Sequence, residues 1–176
     1  MCTILKVLVF CLMLAWQASP PSTALQALVS SMETLLMGVA NEMPADKYDF
    51  VPGGGEFRGV RSFAKQLKHA AAVQYLVANS ILGEAVTADQ ADERGPDAVR
   101  SKVEVIDYLQ GSFEALHRAA AGVDDRNAFE PIKGVFGSQP ATRAGLIAGV
   151  LAHSSNHYGQ VVEYLRMNGI IPPASR

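Results

Sequence analysis

Two histidines stand one helical turn apart in "LAHSSNHYGQVVEYLRM", residues 151–167. His153 and His157 interrupt an apolar stripe that advances in helical steps of three and four residues. The other members of that stripe are Leu146, Val150, Val161 and Tyr164. Because residues four apart are neighbours on a helix, both imidazoles can reach one point, where they could bind a transition metal. The pair therefore predicts a metal site, with a hydrogen-bonded pair of core histidines as the alternative.

Two ligands rarely hold a metal ion, so a third donor is expected elsewhere in the chain. The remaining histidines are His69 and His117. His117 falls in the last turn of a predicted helix, where contact with the helix end or simple exposure explains it. His69 lies about 120° around its helix from the main apolar stripe. That side of the helix is buried only if the helix packs against two other helices. Periodicity alone leaves the third ligand open. Gln160 shares the face of His157 and is expected to orient a ligand or to pack there.

Four helical segments carry these residues, and no segment shows sustained strand alternation. The segments run from about 25 to 43, 59 to 82, 96 to 120 and 141 to 167. The predicted fold class is therefore all-α, a four-helix bundle. The connection "GEAVTADQADERG" is longer than the roughly 2–8 residues typical between adjacent antiparallel helices. It predicts a crossover with the second and third helices parallel, although a mobile surface loop would give the same pattern.

The first 24 residues have the pattern of a secretory signal peptide. Lys6 precedes the apolar run "VLVFCLMLAW", and the small residues Ser22 and Ala24 indicate cleavage after Ala24. The apolar run is about half as long as the ~20 residues of a membrane span, and an uncleaved anchor is the alternative. We therefore expect an exported protein, periplasmic or secreted, that has no membrane association after cleavage and folds as one domain over residues 25–176.

Composition narrows the classes of function. Cys2 and Cys11 both belong to the predicted leader, so the mature chain offers no disulfide and no thiolate ligand. Loss of Lys6 changes the formal net charge from −2 to close to −3, and no basic run gives an electrostatic footprint for nucleic acid. The glycine-rich "PGGGEF" lacks the lysine and hydroxyl residue of a phosphate-binding loop and indicates a flexible connection. The expected partner is an unidentified small-molecule substrate, and a homodimer is expected because bundles of this size often pair.

Three segments resemble the DinB-like family of metalloenzymes, also called the DinB/YfiT superfamily. "HSSNHYGQVVEYLRMNGIIPP" is similar to the family's H-x-x-x-H-x-G-Q ending, and "SFAKQLKHAAAVQYLVANSILG" is similar to its histidine segment on helix two. "MPADKYDFVP" is similar to the usual link between helices one and two. The resemblance covers essentially the whole mature chain. It implies a four-helix bundle with a crossover and a metal site at His69, His153 and His157, whereas His117 matches no family ligand.

The resemblance also implies a class of chemistry. Three neutral nitrogens leave a coordination position open, which is typical of a catalytic site for zinc, nickel or another divalent metal. No carboxylate shares the face of His153 and His157, so no general base is visible. Some relatives are thiol-dependent transferases or isomerases, but reduced thiols are scarce outside the cell. We therefore expect a metal-dependent enzyme of hydrolase or transferase type, with a non-catalytic metal- or ligand-binding bundle and a metal-free scaffold as alternatives.

Overall fold

The computed structural model describes residues 20–133, 135–136 and 140–176. Within these residues the helices are α1 (Pro21–Glu42), α2 (Phe63–Leu82), α3 (Ala88–Ala91), α4 (Lys102–Ala121) and α5 (Arg143–Met167). Two short strands, β1 (Pro131–Ile132) and β2 (Ala141–Thr142), pair antiparallel, and 3-10 turns lie at Ala45–Lys47 and Pro173–Ser175. The prediction of an all-α fold is confirmed, because the four long helices form the body of the described chain.

The connection between α2 and α4 is a crossover, and the two helices run parallel. Near the start of α2, Lys68 donates a hydrogen bond to the carbonyl of Pro96, which lies before α4. Just beyond the end of α2, Glu84 pairs with Arg118 in the last turn of α4. The early part of one helix therefore meets the early part of the other. This is the arrangement that the length of the connection predicted, and α3 lies within it.

The helix α2 also packs against α5, and these two helices run antiparallel. The hydroxyl of Tyr164, late in α5, donates to the carbonyl of Arg61, which precedes α2, at 3.0 Å. The amide of Gln74, further along α2, donates to Ser154 Oγ, earlier in α5, at 3.0 Å. The remaining long helix, α1, packs on α4 and α5. The helix α2 is consequently covered on two sides, which explains why its buried residues exceed a single stripe.

Hydroxyl side chains set the starts of three long helices by accepting a hydrogen bond from a backbone N–H of the first turn. These caps are Ser62, Ser101 and Thr142. The helices predicted at 59–82 and 96–120 correspond to α2 and α4, and both begin later than predicted. Gly59 has a positive φ of 76°, and a turn at Pro96 precedes the Ser101 cap. The predicted end of the last helix is correct, with Asn168 as its cap and Gly169 at a φ of 73°.

Large apolar side chains fill the space between the four helices. The largest of them include Phe63, Leu67, Phe113, Leu116, Ile147 and Leu165. Three buried polar side chains are paired within this core, since Ser112 Oγ donates to Gln74 Oε1, and the amide of Gln74 donates to Ser154. Such pairing offsets the free-energy cost of removing polar groups from water.

Most of the predicted signal peptide lies outside the described residues. Its last four residues, 21–24, form the first turn of α1, so cleavage after Ala24 would shorten this helix by about one turn. By length and composition alone α1 could cross a membrane. It nevertheless contributes Val29, Leu36 and Val39 to the core, and a core helix has the same apolar composition. The boundary at residue 25 stays a prediction.

Candidate metal centre

Three histidines face one another across the contact between α2 and α5. The Nε2 atom of His153 lies 3.0 Å from Nε2 of His69 and 3.1 Å from Nε2 of His157. Donor atoms of all three residues lie within 4.8 Å of one another. Tetrahedral coordination at about 2.1 Å separates ligand nitrogens by about 3.4 Å, close to the spacing found here. The structure therefore brings together the three residues that were predicted as ligands, and their binding of a metal stays a prediction.

The second nitrogen of His69 fixes the protonation of its ring. Nδ1 of His69 lies 2.6 Å from the carbonyl oxygen of Glu93 in the crossover. A carbonyl oxygen only accepts hydrogen bonds, so Nδ1 carries the proton and Nε2 keeps a lone pair. Glu93 has a φ of 56°, an uncommon conformation for a residue with a side chain. The crossover therefore has an uncommon backbone conformation at Glu93, the residue whose carbonyl orients His69.

A chain of amides fixes the ring of His157 in the same way. Nδ1 of His157 lies 2.7 Å from Oε1 of Gln66. The amide nitrogen of Gln66 donates to Gln160 Oε1 at 2.7 Å, and the amide nitrogen of Gln160 donates to Asn156 at 2.6 Å. Each carbonyl in this chain accepts, so His157 donates from Nδ1 and keeps its lone pair on Nε2. Gln160 therefore contacts His157 only through Gln66, and a role of Gln160 in orienting a ligand stays a prediction.

The ring of His153 cannot satisfy both neighbours by hydrogen bonding. Its Nε2 faces two lone pairs, those of His69 and His157, and a proton on Nε2 points along only one of these contacts. The other contact would then place two nitrogens together with no proton between them, which costs free energy. A single cation accepts all three lone pairs. The donor set therefore fits a divalent metal better than it fits a network of hydrogen bonds.

The surroundings of the three rings disfavour protonation. Burial is the largest cause that lowers the pKa of His69 and His153 below the ordinary value. Burial, the two neighbouring rings and the positive charge of Arg61 together lower the pKa of His157 to about 3. The charge of Arg61 also acts in this direction on His69 and His153. At neutral pH the lone pairs are consequently available, as metal binding requires.

A cavity of about 330 Å³ opens beside His153, which is half-buried, whereas His69 and His157 are only 5% and 7% exposed. Its other lining residues are Val73, Glu93, Phe136, Gly149 and Val150. The walls are mostly apolar, and Glu93 contributes the acidic side chain. His153 is therefore the ligand candidate that a small molecule can approach.

The prediction that no carboxylate shares the face of His153 and His157 concerned α5 alone, and an acidic residue of another segment lies near the site. Along α5 itself the prediction was right, since Glu163 is exposed and pairs with Arg166 at 3.6 Å. The acidic residue comes instead from the crossover, as Glu93. No periodicity marks a loop residue of this kind. Gln66, in contrast, lies three residues before His69 on the same helix face, so its spacing offered a signal.

The fourth histidine lies apart from this centre. His117 Nε2 is 2.9 Å from the carboxylate of Glu33, across the contact between α1 and α4. Its pairing with a carboxylate sets His117 apart from the three rings that face one another.

Comparison with known proteins places the chain in a family. The family model of the DinB superfamily matches residues 29–161, more than half of the chain, and this range includes all three facing histidines. No curated protein matches the chain significantly. The match spans the helices that form the bundle, and the H-x-x-x-H-x-G-Q segment lies at its C-terminal end. From this match and this fold, the chain belongs to the DinB superfamily.

Proposed function

We propose that this protein is an exported metalloenzyme of hydrolase or transferase type that holds a divalent metal ion on His69, His153 and His157. The observation that carries the proposal is the convergence of three Nε2 atoms at 3.0 and 3.1 Å, two of them with their lone pairs directed by hydrogen bonds at Nδ1. Hydrogen bonding alone would satisfy only one of the two contacts. His153 Nε2 can carry one proton, and the Nε2 atoms of His69 and His157 carry none.

The donor set narrows the choice of metal. Imidazole nitrogen suits zinc, nickel and other divalent transition metals, and no thiolate selects a softer ion. Once bound, the ion would supply Lewis-acid chemistry toward a polar group of the substrate. Gln66 and the carbonyl of Glu93 orient two of the rings, a role whose loss commonly costs 10- to 100-fold in metal affinity.

The cavity beside His153 favours a catalytic role for the bound metal. Its apolar walls, Val73 and Val150, would exclude water around a bound molecule, and the carboxylate of Glu93 in the same cavity would accept a proton from it. The burial of His69 and His157 favours the second candidate, a bundle in which the metal only stabilises the fold or captures a ligand. The two candidates differ in whether His153, at the cavity, is needed for turnover or for stability.

Turnover of two chromogenic probes tests the catalytic proposal. We expect purified protein loaded with zinc or nickel to hydrolyse 4-nitrophenyl acetate or 4-nitrophenyl phosphate faster than metal-free protein, and His153→Ala to abolish the difference while keeping the helical circular dichroism. His117→Ala is the matched control and should keep full activity. If His153→Ala unfolds at a much lower temperature and neither probe is turned over by the wild type, the non-catalytic candidate replaces the enzyme.

Export is proposed from the N-terminal pattern alone. Mass spectrometry of the chain recovered from the medium or the periplasm should show a mature protein beginning at Leu25. A chain that begins at Met1 and stays with the membrane would contradict cleavage and favour the anchor.

A further inference from the structure

A second, polar cleft of about 490 Å³ lies beside the start of α2. Its charged lining consists of Arg61, Lys65, Lys68, Arg94 and Asp97. Four cationic side chains thus face one carboxylate. They come from three segments, namely the link before α2, the first turns of α2 and the crossover. This assembly explains why the sequence shows no basic run.

Three of these cations lack a counter-ion among the described residues, and two of the three also lack a hydrogen-bond partner for the side chain. Lys68 Nζ donates to the carbonyls of Pro96 and Val99 at 2.6 and 3.0 Å, and Arg94 pairs with Asp92 at 2.7 Å. Arg61 and Lys65 form no ion pair with any residue that the structure describes. Concave surfaces lined by uncompensated charge of one sign attract ligands of the opposite sign. The cleft therefore has the electrostatics of an anion site.

The backbone of Arg61 is tied to α5, the helix that carries His153 and His157. Its backbone carbonyl accepts a hydrogen bond from the hydroxyl of Tyr164 on α5, at 3.0 Å. Its charge acts on the same three histidines whose pKa values it lowers. In the crossover, Arg94 lines the polar cleft, and the preceding residue, Glu93, bonds His69 and lines the apolar cavity.

Three residues on one face of α2 relate the polar cleft to the candidate metal centre. Lys65 lines the polar cleft, His69 is four residues further and Val73, in the apolar cavity, is four residues beyond that. Residues four apart lie on one helix face, and eight residues span about 12 Å. The polar cleft therefore lies one helical turn from His69 and about 12 Å, along α2, from the apolar cavity.

We propose that the polar cleft binds the carboxylate or phosphate group of a small organic anion close to the candidate metal centre. The inference rests on the proposed function and assigns its substrate class. The shared chemistry is one anionic group on an apolar body, supplied by a carboxylic acid or by a phosphate monoester.

Calorimetric titration with benzoate, phenyl phosphate and the uncharged benzyl alcohol tests this assignment. Zinc-loaded and metal-free protein are both titrated, because an anion could also bind a metal directly. We expect one of the two anions to bind at least tenfold more tightly than benzyl alcohol in both forms, and the preferred anion identifies the acid class. The double variant Arg61→Gln, Lys65→Gln should weaken binding of that anion about tenfold, as expected for loss of charge-assisted hydrogen bonds.

The matched control is the double variant Lys47→Gln, Arg126→Gln, which removes the same charge from two exposed positions outside the cleft. It should bind the anion within about twofold of the wild type. Equal binding by the cleft variant and the control, or equal binding of benzyl alcohol and both anions, would overturn the inference. Zinc content distinguishes failure of the anion site from failure of the metal site. The cleft variant should retain zinc like the wild type. A wild type that retains no zinc would reject the metal site alone.

Discussion

Histidines occur at two helix contacts of this bundle, and their partners differ. Between α1 and α4, His117 bonds the carboxylate of Glu33, and the two side chains are 28% and 32% exposed. Between α2 and α5, three rings turn nitrogens toward one another, and none of them bonds a carboxylate among the described residues. A histidine that bonds a carboxylate already has a hydrogen-bond partner, whereas converging lone pairs need a shared cation. The partner of an imidazole, more than its burial, therefore separates a candidate ligand from a structural residue.

The largest effect is expected from removing a ligand. His157→Ala should lower zinc affinity more than about 100-fold, because loss of a ligand costs more than the 10- to 100-fold typical of its hydrogen-bond partners. Competition with a chromophoric chelator measures this affinity. His117→Ala, which removes the other type of histidine, should leave it unchanged. An equal loss of zinc affinity in the two variants would show that the two histidine contacts do not differ in metal binding.

Acid should destabilise the metal-free protein through the facing histidines. Their pKa values are lowered in the folded chain, that of His157 to about 3, so the unfolded chain binds protons first. Stability is therefore full above the unfolded value of about 6.5 and is lost as the pH falls toward 3. Urea unfolding at about pH 7 and pH 5 should show a larger loss for the wild type than for His157→Gln. An equal loss would mean that this ring does not resist protonation.

The amide that orients His157 should have an intermediate effect. Gln66→Leu removes the acceptor of the Nδ1 proton and should weaken zinc binding about 10- to 100-fold, whereas Gln66→Glu keeps an acceptor and should lose less. Gln74→Leu is the matched control, because Gln74 is equally buried but bonds Ser112 and Ser154 instead of a histidine. This control should lower stability and leave zinc affinity intact. Equal zinc affinity in the Gln66→Leu variant and the wild type would show that the hydrogen bond does not direct the lone pair.

The smallest effect is expected at the other histidine contact. Glu33→Gln replaces the carboxylate of a partly exposed hydrogen bond by an amide, so the free energy of unfolding should change by less than about 1 kcal/mol. Chemical unfolding measures this change, and zinc affinity should stay at the wild-type value. A drop in zinc affinity would mean that the α1–α4 contact supports the metal centre.

The sequence predicted part of this site well, because one helix carries that part. The spacing of His153 and His157 places both rings on one face of α5, and periodicity is sufficient for that inference. His69 could not be chosen by periodicity, because α2 packs on two helices and buries more than one face. The resemblance to the DinB-like family supplied it. Sequence patterns thus locate ligands on a single helix better than ligands between helices.

Loops account for what the sequence could not predict. Glu93 orients His69 through its backbone carbonyl, and any residue has a carbonyl, so no residue type marks this role. The polar cleft combines Arg61 and Lys65, at the start of α2, with Arg94, which the crossover places beside them. The length of the crossover predicted parallel helices, but its contribution to the site depends on the backbone turn at Glu93.

X-ray absorption at the zinc edge tests the central claim most directly. The sample is protein purified without a polyhistidine tag, loaded with one equivalent of zinc and washed free of excess metal. We expect one retained zinc ion with imidazole scattering from three nitrogens at about 2.0–2.1 Å and a further light ligand. Failure to retain zinc, or a zinc ion with fewer than two imidazole ligands, would contradict a metal centre at His69, His153 and His157.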